Sequence, residues 1–338
     1  MPVDTDPAPP SPDDSAVPLV WVLHDGKAGM ASQALGLAEA TGLPFIEKSL
    51  AVRAPWAYLP PLLWLAPLTA GSDGGLPLRP PWPDVVIGCG RNTAAPALAI
   101  RRASGGRTIA AQIQDPRLGR GAFDLMVVPE HDRLRGPRVV TSKGALNRVT
   151  PEKLAAAAQR FPDLARLPRP IVGVLIGGSN RAYRLGLDRL AQIADMIAAS
   201  LRETGGSAVV TPSRRTGAEG VTLLRKRLAG LPATIWDMTG DNPYYAYLAV
   251  ADAFLVTADS VSMISEAAMT GKPVHVIELD GGDAKFARFH QAMQEAGITR
   301  PFTGRIESWR YEPLDDTARA GAALRALVTD RLAACGAT

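Results

Sequence analysis

Short apolar runs of strand length alternate along the chain with stretches of helical periodicity, and polar or glycine-rich turns follow the strands. In the first half the predicted strands lie at 20–23, 45–49, 84–88, 108–113 and 123–128. After a proline-rich linker at 162–170 the alternation restarts, with predicted strands at 171–176, 207–211, 234–236, 253–256 and 274–278. Strands that alternate with helices form parallel sheets, whose ligands bind at the carboxyl ends of the strands.

This pattern predicts an α/β fold of two Rossmann-like domains that face each other across a cleft. The first 17 residues are rich in Pro, Asp and Ser and are predicted to be disordered. We assign residues 18–165 to the first domain and residues 166–314 to the second. A last helix within 315–338 is a candidate for packing back on the first domain.

The stretch 251–278 predicts a strand, a tight polar turn, a helix and a second strand, which together form a βαβ unit. The turn and the helix start carry Asp259, Ser260 and Ser262, and the free N–H groups of a helix N-terminus suit a diphosphate. Glu266 lies one turn further along, where its carboxylate could reach two hydroxyls of a ribose. The alternative interpretation is that Ser262 is only an N-cap and Glu266 only a solvated helix residue.

Two further turns of the second half end predicted strands with groups suited to phosphate. They comprise a glycine-rich turn and a turn with two guanidinium groups, namely Gly177, Gly178 and Ser179, and Ser213, Arg214, Arg215 and Thr216. Each turn alone is ordinary. Three such turns at the strand ends of one sheet favour an anionic, nucleotide-like ligand.

Composition narrows the function classes. The chain has 338 residues, of which 46% are hydrophobic and 21% charged, as is ordinary for a globular protein of two domains. A net charge of +4 favours anionic substrates or an anionic membrane surface, but it is too small to predict a nucleic-acid partner. Cys89, Cys335 and four scattered histidines have no metal-ligand spacing, so we predict no metal site and no cofactor.

Residues 52–83 differ from their surroundings because aromatic and leucine side chains are interleaved with prolines. These side chains are Trp56, Tyr58, Leu62, Leu63, Trp64, Leu65 and Trp82. The first interpretation is buried packing beneath an irregular excursion. The alternative is an apolar patch that contacts the inner membrane leaflet or a lipid-linked acceptor. No apolar run is long enough to span a bilayer, so we expect a cytoplasmic protein, and contact with the inner membrane is left open.

Several motifs that define other nucleotide-binding or hydrolytic enzymes are missing. No Gly-x-Gly-x-x-Gly follows the first strand, and no Gly-x₄-Gly-Lys-Ser/Thr occurs anywhere. These absences argue against a nicotinamide oxidoreductase and a P-loop NTPase. The absence of a Gly-x-Ser-x-Gly elbow argues against an α/β-hydrolase.

A series of motifs follows the predicted strands in order. It comprises 25–29, Gln33, 90–91, 114–117, 123–124, 129–132, 144–147, 177–178, 213–216, 242–244, 257–263, 266–267 and 271–273. Over about residues 20–328 this series resembles the bacterial branch of the family named for mitochondrial fission, the "elongated mitochondria" proteins. The family takes its name from its plant branch, which is linked to organelle fission.

That family is similar in turn to GT-B glycosyltransferases, especially the glucosaminyltransferase that makes the lipid-linked peptidoglycan precursor. The resemblance implies that Glu266 binds the ribose of a nucleotide-diphosphate sugar, and that serines and a helix N-terminus bind its diphosphate. It also implies chemistry without a metal, since a helix dipole and basic side chains stabilise the leaving diphosphate. The candidate donor-binding residues are Gly177, Gly178, Ser179, Ser213, Arg214, Arg215, Thr216, Asn242, Asp259, Ser260, Ser262 and Glu266.

The first domain would then bind the acceptor, and transfer to a hydroxyl requires a general base. Candidates at the predicted strand ends are His24, Asp25, Asp115, Glu130, His131 and Asp132. Asp25 lies on the first loop, where similar glucosaminyltransferases place acceptor-side chemistry. His131 has the more suitable unperturbed pKa. The alternative role for residues 130–132 is a surface salt bridge.

The leading hypothesis is a metal-independent glycosyltransferase that transfers a sugar from a nucleotide-diphosphate donor to a cell-envelope or lipid-linked acceptor. The second is a recruiting protein that keeps the GT-B shape without catalysis and binds its partner through 52–83. The third is an epimerase of nucleotide sugars, which a requirement for an acceptor hydroxyl would separate from a transferase.

Overall fold

The computed structural model describes residues 17–336 except 53, 55, 60–62, 75 and 118. The predicted disordered segment, apart from Val17, lies outside these residues, as do several positions of 52–83. Within the described part of the chain, two separate sheets are built mainly from parallel strands and covered by helices. The predicted α/β fold of two Rossmann-like halves is confirmed.

The first sheet has the order β4-β3-β2-β1-β5-β6-β7-β8 over the described residues, and only the pairings β2–β3 and β3–β4 are antiparallel. Its strands are β1 (Val20–His24), β2 (Phe45–Val52), β3 (Gly71–Asp73), β4 (Leu76–Pro77), β5 (Val85–Cys89), β6 (Ile109–Ile113), β7 (Leu125–Pro129) and β8 (Val139–Ser142). The helices of this part of the chain are α1 (Ala28–Thr41), α2 (Pro67–Ala70), α3 (Arg91–Ala103) and α4 (Pro151–Arg160).

The second sheet has the order β12-β11-β9-β13-β14-β16 over the described residues, and its strands are parallel throughout. The strands that follow α4 are β9 (Ile171–Ile176), β10 (Tyr183–Arg184), β11 (Ser207–Pro212), β12 (Ala233–Ile235), β13 (Ala253–Thr257), β14 (Val274–Ile277), β15 (Asp280–Gly281) and β16 (Thr299–Pro301). The helices are α5 (Leu187–Thr204), α6 (Gly217–Arg227), α7 (Tyr244–Val250), α8 (Val261–Ala268), α9 (Ala284–Glu295) and α10 (Asp316–Gly336). Strands β10 and β15 form a short antiparallel pair.

The central strands are buried on both faces, which explains why they are apolar runs rather than alternating patterns. Every residue of β1, β5, β6, β9, β11 and β13 is buried. In each sheet the strand order reverses beside the first strand, between β1 and β5 and between β9 and β13. Ligands of such sheets bind outside the strand ends at these reversal points, so the fold directs attention to the loops after β1, β5, β9 and β13.

Two helices begin earlier than the sequence predicted. Helix α1 starts at Ala28 rather than near Ser32, because the Lys27 carbonyl accepts hydrogen bonds from the N–H groups of Met30 and Ala31, both at 2.9 Å. Helix α8 starts at Val261, and its N-cap is Ser260 rather than Ser262. Ser262 therefore lies in the first turn of α8, so the interpretation of Ser262 as the N-cap is wrong.

One helix of each half of the chain packs on the other half. Helix α4, which lies within the predicted first domain, packs against α7, and its Leu154 joins the core of the second half. Helix α10 packs against α1 and places Ala320, Leu324 and Val328 in the core of the first half. The Arg325 guanidinium donates to the carbonyl of Thr41, the last residue of α1, at 2.7 Å.

The two chain crossings between the halves contact each other. The Asp316 carboxylate accepts hydrogen bonds from the backbone N–H groups of Lys143 and Gly144, both at 2.9 Å. The Thr317 hydroxyl accepts from the Asn147 N–H at 3.1 Å. The segment after β8 and the first turn of α10 are thus tied together where the chain passes from one half to the other.

Over its described residues, the segment 52–83 contains both buried and exposed apolar side chains, and its contact with a membrane or acceptor stays a prediction. Trp64 is only 5% exposed and donates its indole N–H to the Trp56 carbonyl at 3.0 Å. Tyr58, Leu65 and Leu76 are 86%, 91% and 72% exposed. The described part of the segment therefore has a buried anchor beneath exposed apolar side chains. Over the described residues, no helix is both long enough and apolar enough to cross a membrane.

Candidate functional site

A cavity of about 860 Å³ lies between the start of α1 and the strand ends of the second sheet. From the first half it is lined by residues that include Lys27, Gly29 and Ser32. From the second half it is lined by side chains that the sequence predicted to bind the donor, namely Ser213, Arg214, Arg215, Asp259, Ser260, Ser262 and Glu266. We call this cavity the donor cleft.

Glu266 connects the two sides of the donor cleft. Its carboxylate accepts a hydrogen bond from the Tyr244 hydroxyl, at 2.5 Å, and another from Ser32 of α1. Burial raises the pKa of Glu266 to about 7, and the two hydroxyl donors only partly offset that effect. Burial also raises the pKa of Tyr244 well above its usual value, so the tyrosine remains a proton donor. The alternative interpretation of Glu266 as a solvated helix residue is wrong, because only 8% of the residue is exposed.

Asp259 organises the turns around the start of α8. Its side chain is fully buried and forms an ion pair with Arg215, at 2.6 Å between Nη1 and Oδ2. Its Oδ2 also accepts the backbone N–H of Gly178 at 3.1 Å. The sequence predicted that this N–H and this guanidinium serve a phosphate, whereas in the structure a carboxylate of the same chain binds both.

Other predicted donor-binding groups make internal hydrogen bonds and do not line the donor cleft. The Gly177 N–H donates to Thr257 Oγ1 at 2.8 Å, and Thr216 Oγ1 donates to the Gly177 carbonyl at 2.6 Å. Ser179 Oγ accepts the Leu185 N–H at 2.9 Å. The side-chain Oδ1 of Asn242 accepts the Tyr244 N–H at 3.0 Å, so Asn242 supports the start of α7.

The groups of the donor cleft that retain binding capacity are Arg214 and the first turn of α8. Arg214 is exposed, and it has no ion-pair or hydrogen-bond partner among the described residues. Ser260 caps α8 by accepting the Met263 N–H at 3.4 Å. Ser262 faces Gly29, where an added Cβ would lie 3.1 Å from Ser262 Oγ. The first turns of α1 and α8 therefore approach each other closely across the cleft.

Two further cavities continue from the donor cleft along the first half. A middle cavity of about 290 Å³ shares Val261, Ser262 and Phe286 with the donor cleft. A third cavity of about 730 Å³ shares Gln114, His131 and Lys285 with the middle cavity. We call the third the basic cavity, since arginine and lysine side chains dominate its lining. The three cavities form one path from the second half to the first.

Of the two catalytic candidates, His131 lies on this path. It lines both the middle and the basic cavities, and it packs edge-on against Phe289 at 6.0 Å between ring centroids. Burial lowers the pKa of His131, which favours the neutral imidazole that a general base requires. Asp25 follows β1, where its carboxylate accepts hydrogen bonds from Lys27 and Asn92, and its Oδ1 is buried without a hydrogen-bond partner.

The remaining base candidates are engaged in other interactions or lie away from the path. His24 donates from Nε2 to Glu47 at 2.7 Å, while its Nδ1 accepts the Gly26 N–H at 3.1 Å. The hydrogen bond from the Arg120 guanidinium lowers the pKa of Asp115, which weakens it as a base. Asp132 forms an ion pair with Lys285 at 3.2 Å, consistent with the alternative of a salt bridge at 130–132. Glu130 lines none of the three cavities.

Tyr244 and Arg148 line the donor cleft but were missed as site residues. A signal for Tyr244 was present, since it belongs to the Asn-Pro-Tyr motif at 242–244, from which only Asn242 was chosen. No comparable signal marked Arg148. Among the described residues, no group of three or more His, Cys, Asp or Glu side chains could hold a metal ion. Metal independence stays a prediction.

Comparison with known proteins places the chain in a family. A profile described as mitochondrial fission ELM1 matches residues 28–328. The chain belongs to the mitochondrial fission ELM1 family. The resemblance predicted from the ordered motifs is therefore confirmed.

Relatives of this ELM1-family chain come from plants and bacteria. The mitochondrial fission protein ELM1 of Arabidopsis thaliana is 38% identical over 271 residues, which cover 72% of this chain and 63% of the plant protein. The uncharacterized protein RP120 of Rickettsia prowazekii is 27% identical over 346 residues, which cover 88% of this chain and 95% of that protein. The chain thus spans less than two thirds of the plant relative.

Solved structures show the same fold. The UDP-GlcNAc 2-epimerase of Methanocaldococcus jannaschii aligns with a TM-score of 0.57 at 12% identity, covering 92% of this chain and 99% of the epimerase. MurG of Acinetobacter baumannii aligns with a TM-score of 0.48 at 14% identity, covering 93% of this chain and 92% of MurG. The alignment with the epimerase, together with the two separate sheets, shows that the ELM1-family chain has a GT-B-like fold of two facing Rossmann-like halves.

Proposed function

We propose that this protein is a metal-independent glycosyltransferase that takes a sugar from a nucleotide-diphosphate donor and transfers it to an acceptor hydroxyl. The observation that carries the proposal is the donor cleft, which combines a buried carboxylate, an unpaired guanidinium and a helix N-terminus. Its volume of about 860 Å³ lies within the usual range of small-molecule sites. The name of the structurally similar epimerase is consistent with a nucleotide-sugar ligand.

The donor would bind across the start of α8. Ionised Glu266 accepts hydrogen bonds from two ribose hydroxyls, which replace the hydrogen bond from Ser32 of α1. The diphosphate lies at the N-terminal turn of α8, where Ser262 and free N–H groups stabilise its charge. Arg214 supplies the mobile cation that compensates the charge of the leaving nucleotide.

On the acceptor side, His131 is the proposed general base. Its neutral imidazole takes the proton of the acceptor hydroxyl while that oxygen attacks the anomeric carbon and the nucleotide diphosphate leaves. The position of His131 on the path between donor cleft and basic cavity supports this role. Asp25 is the second candidate, because it lies on the first loop and its Oδ1 has no hydrogen-bond partner, but it lines none of the three cavities.

The exposed apolar side chains of 52–83 support an acceptor at a membrane surface. Tyr58 and Leu65 are almost fully exposed above the buried Trp64. We expect the protein to float with vesicles that contain an anionic lipid. Replacing Tyr58 and Leu65 together by Ser should abolish flotation, whereas the control Leu187→Ser, at another exposed leucine, should not. Flotation that survives the double replacement would contradict a membrane role for this segment.

A thermal-shift screen tests the donor. UDP, GDP, CDP, ADP and their sugars are added with and without EDTA, since a ligand that binds only the folded chain raises its melting temperature. We expect a shift with one base, unchanged by EDTA. Glu266→Ala should remove the shift, and Glu203→Ala, at an exposed glutamate of α5, should keep it. A shift that persists in Glu266→Ala would contradict the ribose role.

Turnover separates the transferase from the other candidates. A transferase releases its nucleotide diphosphate only when a suitable acceptor hydroxyl is present. An epimerase would instead interconvert donor sugars without an acceptor.

One observation favours the recruiting protein. The Asp259 carboxylate already occupies Arg215 and the Gly178 N–H, which leaves fewer groups for a donor diphosphate. If none of the tested nucleotides or nucleotide sugars binds the protein, the recruiting protein becomes the better assignment.

A further inference from the structure

The basic cavity concentrates positive charge at the strand ends of the first sheet. Its lining contains six cationic side chains and two carboxylates, Asp115 and Asp132. The cations are Arg91, Arg117, Arg120, Arg133, Lys285 and Arg288. The excess of four positive charges equals the formal net charge of the whole 338-residue chain. Because like charges repel, such a concentration implies a compensating anion.

The two carboxylates are already neutralised. Arg120 binds Asp115 through two hydrogen bonds, from Nε at 2.8 Å and from Nη2 at 2.5 Å. Lys285 pairs with Asp132 at 3.2 Å. His131 adds no positive charge near neutral pH, because burial lowers its pKa.

The other four guanidinium groups have no carboxylate partner among the described residues. Arg288 donates only to the His131 carbonyl, at 3.3 Å. Arg91, Arg117 and Arg133 make no side-chain ion pair there. These four groups line one concave space from three strand-end loops and from α9. A guanidinium fork binds phosphate oxygens in pairs, so their convergence suits a phosphate group better than a single carboxylate.

The backbone around the basic cavity is strained at the same positions. Among the described residues, four non-glycine residues have a positive φ, and three of them line this cavity. They are Gln114 at +68°, Arg117 at +63° and Arg133 at +56°. Side chains rarely adopt this left-handed conformation, and residues held there cluster at functional sites. Two of the unpaired arginines, Arg117 and Arg133, are among these residues.

The basic cavity joins the path to the donor cleft. Gln114, His131 and Lys285 line both it and the middle cavity. An anion bound here would lie on the far side of His131 from the donor. A hydroxyl attached to that anion would then reach the middle cavity, beside the proposed base.

We propose that the basic cavity binds the phosphate groups of a phosphorylated acceptor. The role as acceptor site rests on the proposed function, whereas phosphate binding by the cavity does not. Since Lys285 and Arg288 belong to α9 of the second half and the other cations to the first half, the bound phosphate also bridges the two halves.

Calorimetric titration with inorganic pyrophosphate, at low salt and without nucleotide, tests the site. The double variant Arg117→Gln/Arg133→Gln should bind about 100-fold more weakly than the wild type, and Arg288→Gln about 10-fold more weakly. Arg288→Gln lies in a regular helix, so it keeps the test valid if the strained loops tolerate no change. The matched control Arg202→Gln, at an exposed arginine of α5, should bind as tightly as the wild type.

The donor cleft also suits diphosphate, so Arg214→Gln completes the set. Pyrophosphate binding that survives Arg214→Gln and is lost in the double variant supports the basic cavity. Wild-type affinity in the double variant, or loss of binding in Arg214→Gln alone, would overturn it. Nucleotide thermal shifts of the double variant should equal those of the wild type. A failure of the nucleotide screen would therefore leave the phosphate result standing.

Two further ligands separate the sources of the phosphate. Geranyl diphosphate represents a lipid-linked acceptor, and glucose 6-phosphate represents a soluble one. Binding of either ligand that is lost in the double variant supports the proposal and identifies the class of acceptor. If the wild type binds neither geranyl diphosphate nor glucose 6-phosphate, the proposal is overturned.

Discussion

The strand ends of the two sheets use their polar groups in opposite ways. In the second half, Asp259, Gly178 and Arg215 bind one another, and the hydroxyls of Ser213 and Thr216 donate to the Gly177 carbonyl. In the first half, guanidinium groups remain without carboxylate partners around a large cavity. A turn rich in phosphate-binding residue types can thus serve to hold a backbone, while the available charge lies elsewhere.

The difference assigns separate tasks to the two halves. In the second half, internal hydrogen bonds fix the position of the α8 N-terminus, which then presents its N–H groups without reorganisation. In the first half, the guanidinium groups of the basic cavity that have no carboxylate partner are available to bind an anion. Four predictions test this contrast.

The largest effect is expected for Gly177→Ala. A Cβ at this position would lie 2.3 Å from both carboxylate oxygens of Asp259, so the buried carboxylate must shift away from its partners Arg215 and the Gly178 N–H. We expect a loss of about 4 kcal/mol in the free energy of unfolding, measured with urea. Gly186→Ala is the control, because no atom lies within 4 Å of its Cβ. Equal stability of the two variants would show that the Asp259 carboxylate does not pack against Gly177.

The next effect is the pH dependence caused by Glu266. Its folded pKa of about 7 lies above the unfolded value of 4.5, so the folded state binds the proton more tightly. The stability of the wild type should therefore fall, relative to Glu266→Gln, as the pH rises from 4.5 through 7. The accumulated difference should reach at most roughly 3 kcal/mol. Parallel stability curves for the two proteins from pH 4.5 to 8 would contradict the raised pKa.

A smaller effect is expected for Asp259→Asn. Loss of the carboxylate releases Arg215 and should destabilise the fold by about 1 kcal/mol, since Arg215 is 41% exposed and can turn to solvent. The freed guanidinium should tighten nucleotide binding about fivefold. Calorimetry with the nucleotide chosen by the screen measures the change. Weaker binding by the variant would mean that Asp259 supports the donor site rather than competing with it.

The smallest effect is expected for Asp115→Asn in the first half. The Arg120 hydrogen bond lowers the pKa of Asp115, so its contribution is present above pH 4 and is lost as the pH falls through the folded pKa. Because Arg120 is half exposed, we expect less than about 1 kcal/mol at pH 7. The difference from the wild type should therefore shrink as the pH falls below 4. A difference in stability that grows toward low pH would contradict a stabilising contribution from the ion pair of Asp115 with Arg120.

Much of the fold could be predicted from the sequence. The central buried strands are uninterrupted apolar runs, and each is followed by a polar turn, so ten strands of the two main sheets were visible in the pattern. The short strands β3, β4, β8 and β16 were missed. Local signals also placed Glu266 and Ser262 at the start of α8. These features depend on residues close together in the chain, where spacing translates directly into geometry.

The remainder depends on contacts between distant residues. The hydrogen bond from the Gly178 N–H to Asp259 joins the loops after β9 and β13, which are distant in the chain and adjacent only because their strands pair in the sheet. The basic cavity collects cations from Arg91 to Arg288. Arg91 and Arg117 belong to motifs of the ordered series, but nothing in the sequence indicates that they converge with Arg133 and Arg288 on one cavity. The packing of α4 on the second half likewise has no local signature.

The tie between Asp316 and the backbone at Lys143 and Gly144 has a mechanical consequence. The chain passes between the halves twice, and this tie holds both connections side by side. If the halves move relative to each other, both connections must bend at that one place.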